Sequence, residues 1–289
     1  MERTEFRAMG TDVELLLDVP SERWTGSVFA TARAEFARLE AILSRFRPES
    51  ELSTLNHAGR LEDASPDLVR VTELALEARE RTGGRFDPTV HDALVAAGYD
   101  RTFDEVGSGG TVVVALPPAR CLGSVRVDAE TGEIVLGLGV RLDFGGIGKG
   151  YAVDRACELL APFGPCLASA GGDLAVRGGN WPVGVEVNSG TITLELSSGA
   201  IATSGSDRRR WSTSDGDAHH LIDPQTGTPA KTDLLRVTAV GRTAVEAEVL
   251  AKSLYLAGAE RATLEADELG VPAVLTLADG TSLLTGGLA

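Results

Sequence analysis

Long apolar runs are missing from this chain. No window approaches the ~18 consecutive apolar residues that a membrane-crossing helix requires, so no membrane span is expected. Cysteine is scarce: Cys121, Cys157 and Cys166 have neither the paired spacing of a zinc site nor the density of a disulfide scaffold, which leaves them as small core hydrophobes. Positive charge is in deficit, with 27 Lys and Arg against 42 Asp and Glu and a formal net charge of −15. Proteins that gain affinity by neutralising phosphate backbones need a basic face, so neither nucleic acid nor an anionic membrane surface is expected as a partner. A small phosphate-bearing ligand is still compatible with this charge, because a few local cations and backbone N–H groups can hold one. The N-terminal stretch carries Glu2, Arg3 and Glu5 where a secretory signal needs an uninterrupted apolar core, which predicts a cytoplasmic protein.

What is present is ordinary globular material: 43% apolar and 24% charged residues over 289 positions, enough for one large domain or a main domain with a smaller lobe. Imperfect alternation over residues 5–19 predicts a strand or hairpin arm. Val28, Ala32, Phe36, Leu39 and Leu43 fall at helical spacing within residues 21–46, with Ser21 as a candidate N-cap. Residues 66–81 read as a second helix, capped by Ser65, started by Pro66 and closed by Gly83-Gly84. Residues 112–142 read as β-hairpins punctuated by Pro117-Pro118 and Thr131-Gly132. A helix is expected from the Gly145–Gly150 segment to about residue 160. Short strands follow at 166–169, 174–177, 183–187 and 191–196, each bounded by Gly or Asn-Ser-Gly turns. Residues 237–241 read as a strand, 244–256 as a helix ending at Gly258, and 271–284 as a hairpin. Antiparallel hairpins interrupted by a few long helices predict an α+β fold, not a regular βαβ succession.

The sharpest local pattern is Asp143-Phe-Gly-Gly-Ile-Gly-Lys-Gly-Tyr151, at an expected strand-to-helix junction. Glycines let the backbone approach a ligand, and the N–H groups of a starting helix favour an anion, so a diphosphate could rest there beside Lys149. The segment is not a P-loop, since Asp143 and Gly150 stand where that pattern needs Gly and Ser or Thr. A Gly-rich turn that only packs a helix on a sheet fits the pattern as well. Thr82-Gly-Gly-Arg-Phe-Asp-Pro-Thr89 places Asp87 before a proline, which holds it extended or in a turn and can present its carboxylate; a helix C-cap is the alternative. Ala170-Gly-Gly-Asp173 and Thr203-Ser-Gly205 are further tight turns. His219-His220 precedes Leu-Ile-Asp-Pro-Gln-Thr-Gly-Thr-Pro229, and a histidine oriented by a carboxylate such as Asp223 could act as a general base. Arg208-Arg-Arg210 is the one concentrated positive run, either solvated or gripping phosphate or an acidic partner.

Taken in order, these segments resemble the FAD:protein FMN transferases of the ApbE type. The similarity runs through Met9-Gly-Thr11, Ser44-Arg-Phe-Arg-Pro-Glu-Ser-Glu-Leu-Ser-Thr-Leu-Asn56, Gly84-Arg-Phe-Asp-Pro-Thr89, Asp143 to Tyr151, Gly171-Gly-Asp173, Thr203-Ser-Gly205 and His220 to Pro229. The resemblance implies a T-fold-like α+β architecture, an antiparallel sheet with packed helices and a smaller α/β lobe, that binds FAD. It implies transfer of FMN to a Thr or Ser hydroxyl within a short motif of an acceptor protein, with release of AMP. By position, Met9, Phe46, Arg85, Phe86, Asp87, Asp143, Lys149, Thr203, Ser204 and Gly205 match the cofactor-binding residues, and His220 matches the catalytic histidine.

The family commonly uses Mg2+, for which the resemblance implies the Gly146 carbonyl and Glu248 as ligands. Here the chain departs from the pattern. The Ala-Asp-x-x-Ala-Thr helix appears as Ala247-Glu-Val-Leu-Ala-Lys252, so Glu248 replaces the aspartate and Lys252 the threonine ligand. Residues four apart share a helix face, which predicts a Glu248–Lys252 pair with the ammonium standing in for part of the metal's charge. The tyrosine that often follows Thr-Ser-Gly is absent, with Asp207 near its place. Two other readings of the resemblance are a non-catalytic FAD-binding protein and an FAD diphosphatase giving FMN and AMP.

Overall fold

The computed structural model describes residues 1–20, 24–108, 121–188, 190–214 and 216–288. The proposed N-cap Ser21 and the Pro117-Pro118 part of the expected hairpin region lie outside the described residues. The chain forms two compact units, one of Met1–Glu40, Ile147–Ser204 and Thr232–Ala289 and one of Ala41–Gly146 and Gly205–Lys231.

An eight-stranded sheet organises the first unit, in the order Glu2–Ala8, Thr11–Leu17, Cys166–Ala170, Asp173–Val187, Gly190–Gly205, Leu234–Gly241, Ala273–Leu277 and Ser282–Thr285. Pairing is antiparallel from Glu2–Ala8 across to Gly190–Gly205, and again from Leu234–Gly241 to Ser282–Thr285. Strand alternation puts Val13, Leu15 and Leu17 in the core. The first hairpin closes at Met9-Gly10, with φ of 52° and 69°. Two successive positive φ values are the signature of the primed turn whose twist suits a hairpin, and a methionine is a costly occupant of its first position.

Two expected strands, 174–177 and 183–187, are one 15-residue strand, Asp173–Val187. Gly178 and Gly179, at φ 68° and 76°, form a register shift between Arg177 and Trp181, so the glycine pair marks a bulge and not an end. Its partner Gly190–Gly205 is likewise longer than the sequence suggests. The expected helices appear as Thr25–Leu43, Gly148–Leu160 and Ala244–Ala257. A further helix, Ala259–Leu269, was not expected. Gly258 ends one helix and starts the next at φ 77°, ψ 162°, while Asp233 Oδ1 accepts the Ala259 N–H at 2.9 Å.

The second unit contains the helices Glu51–Ala58, Pro66–Arg81, His91–Ala96 and Phe103–Ser108. It has a three-stranded sheet of Arg60–Leu61, Glu133–Leu136 and Val125–Asp128, the last two being the described part of the expected hairpins. Two ribbons complete it, Arg210–Thr213 with Gly216–His219 and Ile222–Asp223 with Thr228–Pro229. Pro66–Arg81 has the expected bounds and cap, since Ser65 Oγ accepts the Leu68 N–H, and Gly84 N–H closes it on Arg79 O at 2.8 Å. Glu51–Ala58 escaped the sequence reading because it offers only Leu52 and Leu55 to the core, too few to show a period. Trp211, Tyr99, Leu94, Ala97 and Ile222 form the centre of a core cluster here.

Candidate functional site

Lys149 sits in the first turn of Gly148–Leu160, with its side chain 14% exposed. Its Nζ lies 2.6 Å from Asp173 Oδ2 and 2.6 Å from Glu248 Oε1. Asp173 is delivered by the two-residue turn Gly171-Gly172, at φ 61° and 109°; a Cβ on Gly171 would fall 2.4 Å from Thr11 Oγ1. Glu248 Oε2 accepts the Gly150 N–H at 3.0 Å. Gly150 also packs directly on the start of Ala244–Ala257, where a Cβ would sit 2.8 Å from the carbonyl carbon and oxygen of Ala244. The Gly-rich turn therefore performs the packing role at Gly150, and part of its helix N-terminus is occupied by a carboxylate.

Two strong charge-assisted bonds thus converge on one ammonium that is largely removed from water. Glu248 has partners that the sequence did not suggest: both of its carboxylate oxygens are engaged by the neighbouring helix. Lys252 lies one turn further along, half-buried. As a donor set for magnesium these residues do not fit, because a hard cation needs several free oxygens. Glu248 and Asp173 share an ammonium, and a lysine holds the position of the expected threonine.

The remaining expected residues of the first unit are Met9, at the strained hairpin tip, and Thr203-Ser204, at the end of Gly190–Gly205. Thr203 is exposed and its Oγ1 shares a hydrogen bond with Thr238 Oγ1 at 2.9 Å, while Ser204 is buried.

In the second unit, two motifs far apart in sequence are joined. Arg45 Nε lies 2.6 Å from Asp143 Oδ2, with both side chains buried, and Asp143 Oδ1 accepts the Gly145 N–H at 2.7 Å. Eleven residues after Arg45, Asn56 makes a two-way bond to the Leu142 backbone, at 2.8 and 2.7 Å. The guanidinium also covers the Phe46 ring at 4.1 Å and the Tyr99 ring at 4.8 Å, and donates to Tyr99 O at 2.7 Å. Tyr99 in turn leans on Trp211 at 5.3 Å. Arg45, Tyr99 and Trp211 were missed in the sequence as site-forming residues. Arg45 adjoins Phe46 within a motif already singled out, which was the available signal; nothing local marks Tyr99 or Trp211.

Arg85, Phe86 and Asp87 share one turn behind Pro66–Arg81. Asp87 is fully buried at its side chain. Its Oδ2 accepts from Thr89 Oγ1 and from the Leu122 N–H, both at 2.6 Å, its Oδ1 accepts the Thr89 N–H at 3.2 Å, and Arg79 lies 3.7 Å away. The carboxylate thus fixes the turn that carries half-buried Arg85 and buried Phe86. The same neighbourhood holds Cys121, whose thiol burial and the nearby Asp87, Asp223 and Asp92 carboxylates push up to about 12, which makes it a poor nucleophile. Cys157 and Cys166 are buried and free.

The two histidines are separated by their bonding. His219 ends the strand Gly216–His219; its Nδ1 accepts the Leu221 N–H at 3.3 Å and its Nε2 meets Ala230 O at 3.0 Å. An accepting Nδ1 leaves Nε2 as the protonated donor, so the ring is neutral. Burial lowers its pKa below the ordinary 6.5, and Arg210 adds to this against the opposing Ala230 bond. His219 is thereby committed to the backbone of its own ribbon. His220 follows immediately, half-buried, beyond the strand end. Asp223 Oδ1 accepts the Gln225 N–H at 2.9 Å, organising the Asp-Pro turn of the segment. Arg210, from the basic run, pairs with Asp217 across the ribbon at 2.5 Å.

Among the described residues no helix is long and apolar enough to cross a membrane. The chain is 27% identical to an FAD:protein FMN transferase of Klebsiella pneumoniae, over 96% of this chain and 85% of that protein. It is 27% identical to one of Treponema pallidum, over 93% and 83%. Its fold is similar to the ApbE protein of Thermotoga maritima, with TM-score 0.84 and 23% identity over 98% of this chain and 96% of that one. It is also similar to the flavinyl transferase ApbE of Pseudomonas stutzeri, with TM-score 0.82 and 21% identity over 98% and 94%. These neighbours share the mixed architecture of helices and antiparallel sheet found here. The ApbE family model matches residues 9–275, and the chain belongs to the ApbE family.

Proposed function

We propose that this chain is an FAD:protein FMN transferase. A Thr or Ser hydroxyl of an acceptor protein attacks the FMN-side phosphorus of FAD. The new P–O bond forms as the bond to the AMP moiety breaks, and AMP leaves. His220 takes the hydroxyl proton as general base. Met9, Phe46, Arg85, Phe86, Asp143, Lys149, Thr203, Ser204 and Gly205 hold the dinucleotide, and Asp87 shapes the turn bearing Arg85 and Phe86. The observation that carries the proposal is the family match over residues 9–275, within which relatives named for this reaction align along most of their length.

Such a transfer needs positioning of the diphosphate and positive charge against its oxygens. In this chain Lys252 supplies part of that charge in place of Mg2+, in keeping with the poor donor set around Glu248. FAD affinity and AMP release should then change less than about twofold between added magnesium and excess chelator, since a lysine offers a fixed point charge and no metal equilibrium. The Glu248→Asp, Lys252→Thr double variant, which restores the family's ligands, should acquire a metal requirement. Strong stimulation of the unaltered protein by magnesium would sink this part of the reading.

FAD is expected to bind at least about tenfold more tightly than riboflavin, an increment of ~1.4 kcal/mol for the diphosphate half, and to raise the melting temperature by binding the native state alone. Calorimetry with FAD, FMN and riboflavin tests this, with FMN also expected to bind more weakly than FAD. Equal affinity for FAD and riboflavin would remove the diphosphate site.

A further inference from the structure

The helix Ala244–Ala257 begins with a cap supplied by another helix. Asp154, buried in Gly148–Leu160, accepts the Ala244 N–H at Oδ1, 2.8 Å, and the Val245 N–H at Oδ2, 3.0 Å. The helix has its own N-cap as well, Thr243, whose Oγ1 accepts the Glu246 N–H at 3.1 Å, so Asp154 satisfies donors that the local cap does not reach. One turn before Asp154, the Gly150 N–H bonds Glu248 at 3.0 Å. One turn after Ala244, Glu248 meets Lys149 at 2.6 Å.

The two helices are thus tied at two points, which lie four residues apart along each helix. A helix held at two points one turn apart can neither slide nor rotate, and the absence of a Cβ at Gly150 lets the backbones approach closely enough for both ties. We propose that Asp154 is a positioning residue of the flavin site, which sets the register of Ala244–Ala257 so that Glu248 reaches Lys149 and the Gly150 N–H. The burial that raises the pKa of Asp154, against the pull of its two backbone bonds, is the cost of placing a carboxylate there. The first part, the register of the helix, stands on the geometry alone; its consequence for FAD rests on the function proposed above.

Two readouts on the purified full-length chain test it. The first is the rate at which Lys149 is acylated by limiting acetic anhydride, followed by peptide mass; a buried, doubly paired ammonium reacts slowly. Asp154→Asn keeps one oxygen acceptor but turns an amide NH2 toward the other backbone N–H donor and should loosen the helix, raising Lys149 labelling about tenfold, with a similar rise expected for Glu248→Gln within the same bonded network. Thr243→Ala, which removes the other cap, should lower the melting temperature but leave Lys149 labelling within about twofold. The second readout is FAD affinity: Asp154→Asn should weaken it about as much as Glu248→Gln, and the double variant should be no weaker than Glu248→Gln alone. If Asp154→Asn does not fold, Asp154→Ser, which keeps one acceptor, carries the same comparison. Lys149 labelling unchanged in the altered protein would overturn the proposal, and so would strictly additive losses of FAD affinity. Increased labelling in a protein whose unaltered form does not bind FAD would instead count against the proposed function and leave the helix register standing.

Discussion

Replacing His220 by alanine should lower FMN transfer by about 10²-fold or more, the usual contribution of a positioned general base, while FAD affinity stays within about twofold. Initial rates of AMP release with a saturating acceptor, alongside calorimetry with FAD, separate the two effects. His219→Ala should behave differently, because both ring nitrogens of His219 serve the backbone of its own segment. Its loss should appear mainly as lowered stability, on the order of 1–3 kcal/mol for leaving buried partners unsatisfied. The linkage has a definite sign: with the folded pKa below the ordinary 6.5, this stabilisation is complete above that value and is lost as pH falls through the folded one. His219→Ala should therefore flatten the acid limb of the stability profile. If His219 proved essential for transfer and His220 dispensable, the assignment of the base would be wrong.

Lys149→Met should be strongly destabilising. It leaves Asp173 and Glu248, 3% and 5% exposed at their side chains, facing each other without their shared cation. Removing one partner of a buried pair costs about 3–5 kcal/mol because the remaining charge is uncompensated, which corresponds to a melting temperature lower by roughly 6–15 °C for a chain of this size. A second change, Glu248→Gln, should recover part of the loss by deleting one of the two stranded charges. The double variant distinguishes this account from a simple loss of side-chain packing, which the glutamine would not repair. A thermal melt within about 2 °C of the unaltered protein would show that the three groups are not mutually dependent.

Much of the architecture was legible in the sequence. Where turn chemistry and helical period agreed, as at Ser65, Pro66 and Gly83-Gly84, the helix Pro66–Arg81 appears with the expected bounds and cap. The Asp143–Tyr151 segment does lead into a helix, but not from the expected strand: the preceding strand ends at Leu136, and irregular backbone runs from there to Gly148. The errors have a common cause, since local signals such as Gly178-Gly179 cannot say whether a turn ends a strand or bulges it; the pairing of Arg177 and Trp181 with a long partner strand decides that. The site was legible in part. Motif order singled out Lys149, Asp143 and His220, but not the partners that fix them. Arg45 against Asp143 and Lys149 between Asp173 and Glu248 are pairings across 98, 24 and 99 residues, and Asp154 meets the start of its partner helix across 90. Only tertiary structure brings such groups within bonding distance.

Transfer requires that FAD is cleaved and its FMN half handed to a protein hydroxyl. The direct measurement is to incubate the purified chain with FAD and a candidate acceptor carrying a Ser or Thr flavinylation motif. Free AMP, free FMN and acceptor-bound flavin are then quantified together. AMP and covalently bound FMN should appear in equal amounts, with little free FMN. AMP accompanied only by free FMN would make the protein a diphosphatase, and intact FAD bound to a protein that releases no AMP would make it a binder; either result contradicts the transfer.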